Sequence, residues 1–161
     1  MRRIIGITGP TGAGKGMVAE SLGKLLSADV FDADAVVREL YNGGEAAEKI
    51  SQVFGPQFLT RSRAVDRKKL GAYVFSDPQR LQRLNETVLP IIKRRLLELI
   101  KSAGDTVILD APTLFESNLN EICTETVAVL APYQTRLERI MSRDGITPEE
   151  AKRRMDAQPQ D

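Results

Sequence analysis

The chain has 161 residues, 42% of them hydrophobic and 28% charged, with 23 Lys and Arg against 22 Asp and Glu for a net charge of +1. That length predicts one domain with a sizeable core, and the even charge balance excludes a global field for nucleic acid or a membrane surface. The single cysteine, Cys123, excludes an intramolecular disulfide, and the absence of histidine removes His bases, triads and metal ligands, leaving carboxylates as proton acceptors. No signal peptide precedes the first strand and no apolar run approaches membrane length, so a cytoplasmic protein is expected.

In chain order, Ile4-Ile5-Gly6-Ile7-Thr8 predicts a short buried strand. It runs into Gly9-Pro10-Thr11-Gly12-Ala13-Gly14-Lys15-Gly16, after which Val18, Leu22, Leu25 and Leu26 mark one face of a helix. Strand, glycine-rich turn, lysine and helix in this order make a phosphate-binding loop. Gly9, Gly12 and Gly14 permit the backbone angles of an N–H-lined concavity, to which Ala13 and Gly16 belong. The helix start adds its free N–H groups, and Lys15 brings a full charge to the β- and γ-phosphates of a nucleotide. Gly16, followed by Met17, stands where Ser or Thr would offer Mg²⁺ a hydroxyl, so an ion held through its own waters is expected.

Residues 28–31 predict a second strand, ending at Asp32-Ala33-Asp34. A helix follows over about 34–41, stopped by Asn42-Gly43-Gly44. Residues 45–104 read as helical, broken near Gly55-Pro56 and by an aperiodic turn over 60–64. Pro90 is expected to open a long helix with Ile92, Leu96, Leu99 and Ile100 as its buried stripe. Residues 106–109 predict a third strand running into Asp110, and 125–130 a fourth. A helix through Met141 then reaches Gly145, and Thr147-Pro148-Glu149-Glu150 is a capping box that starts another.

Strands separated by helices imply an α/β fold with a parallel sheet, and 45–104 is too long for a plain crossover. It is expected to be an inserted helical, acceptor-binding subdomain over the strand ends, inside one domain spanning 1–161. Asp34 has two readings: a carboxylate that accepts the proton of an attacking hydroxyl, or the cap of its helix. If the strand persists, Asp32 shares its side. Asp110 holds Mg²⁺ through water or caps a loop. Arg136, Arg139 and Arg143 form either a solvated basic face or, with Lys152, Arg153 and Arg154, a lid region over 139–158.

Together Gly-x-x-Gly-x-Gly-Lys, Asp32-Ala33-Asp34-x-x-x-Arg38, Arg83-Leu84-Asn85 through Pro90, Ile108 through Glu116 and Arg143-Asp144-Gly145 through Gln158 resemble the dephospho-coenzyme A kinase family. The resemblance runs the whole chain in order. It implies a three-layer P-loop NTPase fold and ATP-dependent phosphorylation of the ribose 3′-hydroxyl of dephospho-CoA, with ATP and Mg²⁺ required. On that likeness Asp34 matches the acceptor-activating base, Lys15 the phosphate lysine, and Arg139 and Arg143 the lid side. Asp32, Arg38, Pro112, Leu114 and Glu116 match the acceptor wall. Leu89 departs from the family pattern, where a histidine commonly precedes the proline. That pattern also continues past Asp161 with a strand and terminal helix, so a chain lacking them is expected. The Gly-Lys-Gly ending keeps a nucleoside-monophosphate kinase open as an alternative, and a nucleotide-binding protein without turnover is a second.

Overall fold

The computed structural model describes residues 2–157. Gln158, the last residue of the expected lid region, lies outside them. The chain divides into two compact units, one formed by the residues up to Asp32 and from Ala103 onward, the other by Ala33–Ser102.

The first unit holds the sheet. Strands β1 (Arg3–Thr8), β2 (Asp29–Asp32), β3 (Thr106–Asp110) and β4 (Glu125–Ala128) lie in the order β2-β3-β1-β4. All three pairings are parallel, with Ile5 opposite Ile108 and Glu125, and Phe31 opposite Leu109. Helix α1 (Lys15–Leu26) packs on β1, β2 and β3. Buried Ile5, Ile7, Ala19 and Ile108 form a cluster closed by Val18, Leu22, Leu26, Ala28 and Val129. Leu25, expected on the buried face, is 79% exposed. Positions 18, 22 and 26 repeat every four residues and take the sheet side, which turns position 25 outward.

β2 begins and ends one residue later than its apolar run suggests. It stops at Asp32, and the next helix starts at Ala33. Asp32 and Asp34 therefore do not alternate on one strand, and Asp34 occupies the first helical turn, not the cap position. β4 ends at Ala128, two residues short of the expected end.

The second unit is helical: α2 (Ala33–Tyr41), α3 (Glu45–Phe54), α4 (Arg67–Val74) and α5 (Pro78–Ser102). Long α5 packs against each of the other three, burying Leu84, Val88, Ile91, Ile92, Leu96 and Ile100 along one stripe. The expectation that Pro90 opens this helix is corrected. The start is Pro78, where the Asp77 carboxylate accepts from the Gln79 N–H at 2.9 Å, and Pro90 lies inside. An interior proline costs about 3 kcal/mol, a sum that the buried stripe on both sides of it offsets. Residues 60–64 form the expected turn, closed by Thr60 N–H to Ala64 O at 2.8 Å.

The C-terminal part of the first unit is a helix pair, α6 (Tyr133–Asp144) and α7 (Pro148–Asp156). Gly145 ends α6 at φ 62°, and Thr147 and Glu150 close the predicted capping box on α7. Leu137, Ile140, Ala151 and Met155 lock the two helices together with Met141 and Ile146.

Candidate active site

The phosphate loop is shaped by what surrounds it. Gly9 has φ 147°, and a Cβ there would lie 2.2 Å from the Val129 carbonyl oxygen. Gly12 has φ 79°, and its Cβ would lie 2.8 Å from the Arg136 carbonyl oxygen. Both positions need glycine twice over, for backbone angle and for space. Ala13 is buried and its N–H closes a turn onto the Pro10 carbonyl at 3.1 Å, while Gly14 caps α1. Arg139 holds the loop from outside: its Nη1 donates to the carbonyls of Gly12 and Ala13, at 3.2 Å each.

Lys15, Arg139 and Arg143 line one cavity of about 280 Å³ with Thr11, Gly12, Gly14 and Gly16. Three cations and a glycine-rich loop around one hollow are chemically suited to a polyphosphate. Arg136 does not join them. Its backbone packs on Gly12, and its guanidinium lies 6.0 Å from the Tyr133 ring.

Asp32 and Asp110, at the ends of β2 and β3, line a second hollow of about 390 Å³ together with Gly16 and the face of α1 through Ser27. Gly16 is exposed, and a Cβ there meets nothing within 4 Å. Among the described residues no group of three or more Cys, Asp or Glu gathers as a metal cage. Asp32 and Asp110 are carboxylates of the kind that accept hydrogen bonds from the waters of a hydrated divalent ion.

After β3 the chain folds into a tight turn. Ser117 Oγ donates to the Thr113 carbonyl, and Leu119 N–H reaches Leu114 O at 2.9 Å. Leu114 is fully buried, against Gly6, whereas Phe115 and Glu116 are exposed and Pro112 half-buried. Asp34 and Arg38 belong to α2 of the helical unit, both exposed. Met17 is 76% exposed on the first turn of α1.

Two residues were given no role in the sequence reading. Thr8 Oγ1 donates to the Pro112 carbonyl at 3.2 Å, tying the loop's root to the turn after β3. The signal was a hydroxyl closing an apolar strand. Asp144 accepts from Arg143 Nε at 2.7 Å and Nη2 at 3.0 Å, and from Arg154 Nη1 at 2.7 Å. These bonds, the one to Arg143 foremost, hold its carboxyl below the ordinary aspartate range and raise Arg143 above its own.

A parallel sheet with a phosphate loop after its first strand, a helical insertion after its second and arginines on the helix after its fourth define a P-loop kinase. The chain belongs to the dephospho-CoA kinase family, whose sequence model matches residues 3–161. A dephospho-CoA kinase of Shouchella clausii is 39% identical over 159 residues, covering 96% of this chain and 80% of that protein. Among solved structures, a Thermus thermophilus protein superposes with a TM-score of 0.82 at 35% identity, over 98% of this chain and 81% of the other. A dephospho-CoA kinase from Campylobacter jejuni gives a TM-score of 0.66 at 26% identity, over 97% of this chain and 80% of the other. No helix among the described residues is long and apolar enough to cross a membrane.

Proposed function

We propose that the chain transfers the γ-phosphoryl group of ATP to the ribose 3′-hydroxyl of dephospho-CoA, giving CoA and ADP, as a Mg²⁺-dependent cytoplasmic enzyme. The observation that carries this reading is the cavity in which Lys15, Arg139 and Arg143 meet the phosphate loop. Phosphoryl transfer asks for little covalent chemistry from the protein. It asks for position, and for positive charge where the transferred group's oxygens gather electron density.

The N–H groups of Gly12 to Met17 and the ammonium of Lys15 bind the β- and γ-phosphates. Arg139 and Arg143 offset the charge on the group in flight. Asp34 orients the acceptor hydroxyl and takes its proton, which leaves late when the transition state is loose. Asp32, Arg38, Pro112 and Glu116 hold the acceptor. Buried Leu114 fixes the turn that carries Phe115 and Glu116. Asp110, with Asp32 in the same hollow, would hold Mg²⁺ through water, and the ion would supply positive charge to the phosphates. The unit Ala33–Ser102 is the acceptor-binding part and α6–α7 the lid.

The test is a coupled ADP-release assay offering dephospho-CoA and each nucleoside monophosphate in turn. Turnover confined to dephospho-CoA is expected, and Lys15→Ala should abolish it. Asp34→Asn should lower kcat about a hundredfold or more while ATP affinity, measured by calorimetry, stays near the parent's. Preference for a monophosphate overturns the acceptor, and an Asp34→Asn enzyme with parental kcat overturns the base. Binding of ATP without product from any acceptor leaves a nucleotide-binding protein only.

A further inference from the structure

Arg143 is the last arginine before α6 ends, and its side chain is 62% exposed. An exposed arginine on a terminal turn samples many rotamers, and each must be given up when it meets a phosphate. Here the side chain is held. Asp144 takes its Nε and Nη2 with two oxygens, a side-on fork that fixes the guanidinium plane. A guanidinium has five N–H donors, and this pairing uses one edge, leaving Nη1 directed away from the carboxylate. The same side chain lines the phosphate-loop cavity with Lys15 and Arg139.

The carboxylate is anchored in turn. Asp144 is only 20% exposed, and its Oδ2 also accepts from Arg154 Nη1 on α7. Apolar packing of Leu137 and Ile140 against Ala151 and Met155 keeps α7 where Arg154 reaches. Gly145 and the Thr147 capping box set the tight connection between the helices. A chain of contacts thus runs from the α6–α7 core through Arg154 and Asp144 to Arg143.

We propose that Asp144 is a positioning residue, which presents Arg143 to the γ-phosphate already ordered and is itself held by Arg154. The inference rests on the phosphoryl-transfer reading above. It assigns Asp144 no contact with substrate. Orienting a charge before the reaction matters more in the transition state than in ground-state binding, so its loss falls on kcat and spares ATP affinity.

Two readouts on the full-length chain decide it, and one needs no turnover. In the first, Asp144→Asn should lower kcat about tenfold with ATP KM within twofold of the parent. In an Arg143→Gln background the same change should matter less than twofold. An equal loss in both backgrounds, or a rise in kcat, overturns the proposal. A purely structural role would lower the unfolding midpoint and carry its loss into the Arg143→Gln background. The second readout is the ¹⁵N–¹H signal of the Arg143 Nε, identified by its disappearance in Arg143→Gln. It should be resolved in the parent, shift on adding ATP more than on adding ADP, and collapse into the mobile-arginine envelope in Asp144→Asn. If the parent gives no turnover the functional reading fails, and this second readout still decides Asp144. A signal that is mobile in the parent, or that ignores the γ-phosphate, overturns the positioning role.

Discussion

Gly12 and Arg136 meet backbone to backbone: a Cβ on Gly12 would stand 2.8 Å from the Arg136 carbonyl oxygen and 3.1 Å from its Cα. The phosphate loop thus rests directly on the first turns of α6. Gly12→Ala adds a clash with backbone, which cannot swing aside, to the strain of φ 79°. The two together should cost about 2 kcal/mol or more, expressed as a distorted loop. ATP affinity by calorimetry should fall at least about thirtyfold, on the rule of tenfold per 1.4 kcal/mol.

Gly16→Ser should behave in the opposite way. The new Cβ meets nothing within 4 Å, and the position lies in the first turn of α1 with no positive φ. Helix propensity alone favours the change by roughly 0.5 kcal/mol. On the proposed reading the added hydroxyl would offer Mg²⁺ a direct ligand. The Mg²⁺ concentration for half-maximal activity should drop several-fold, with the unfolding midpoint unchanged or raised. A variant that needs as much Mg²⁺ as the parent would show that the ion does not sit beside position 16.

Cys123 should be an unreactive thiol near neutral pH. Burial pushes it up to about 11 from an ordinary 9.0, and its Sγ donates to the Leu119 carbonyl at 3.4 Å. Alkylation by iodoacetamide should be far slower in the folded than in the unfolded chain, and should keep accelerating with pH past 9. The stability sign follows. The unfolded thiol ionises first, so folding stability is intact below about pH 9 and declines as pH rises towards the folded value. Tyr41, also raised by burial, adds to that alkaline loss. Cys123→Ala should flatten the part of the decline that belongs to the thiol, measured by urea unfolding between pH 8 and 11.

Thr147→Ala removes the side-chain half of the α7 capping box. Glu150 N–H loses its bond to Thr147 Oγ1 at 3.3 Å, while the backbone N–H of residue 147 still donates to the Glu150 carboxylate at 3.2 Å. The cost should be about 1 kcal/mol, confined to the hairpin. Amide hydrogen exchange at Glu150 and Ala151 should quicken about fivefold while β1 and β3 keep their protection.

Local patterns were legible wherever one physical requirement dominated. The phosphate loop, the capping box and the four strands follow from glycine geometry, a two-residue signature and apolar runs. Pro90 misled because proline usually opens helices; six buried side chains along α5 outweigh its missing N–H, and only tertiary packing shows that. Whether Asp32 and Asp34 share one strand was not legible, because a strand's last residue depends on its partner. Asp32 pairs with Asp110 on β3, after which the chain turns at once into α2. Leu114 reads in the sequence as an acceptor contact, yet it packs beneath β1, since nothing in a turn's sequence says which residue points inward. The Arg139 bond to two loop carbonyls joins residues 126 and 127 apart in the chain, beyond any periodicity.

The contacts around the loop also say where this chain tolerates changes in length. Val129 against Gly9, Arg136 against Gly12 and Arg139 on the carbonyls of Gly12 and Ala13 fix the path from the end of β4 into α6 as a measured span. One residue added there rotates α6 by about 100° and carries Arg139 off the loop. Gly43, Gly44 and Gly145 stand open, since a Cβ at any of them would meet nothing within 4 Å. Insertions, affinity tags and permuted termini belong at Gly43 and Gly44, and the segment between Val129 and Arg139 should admit none.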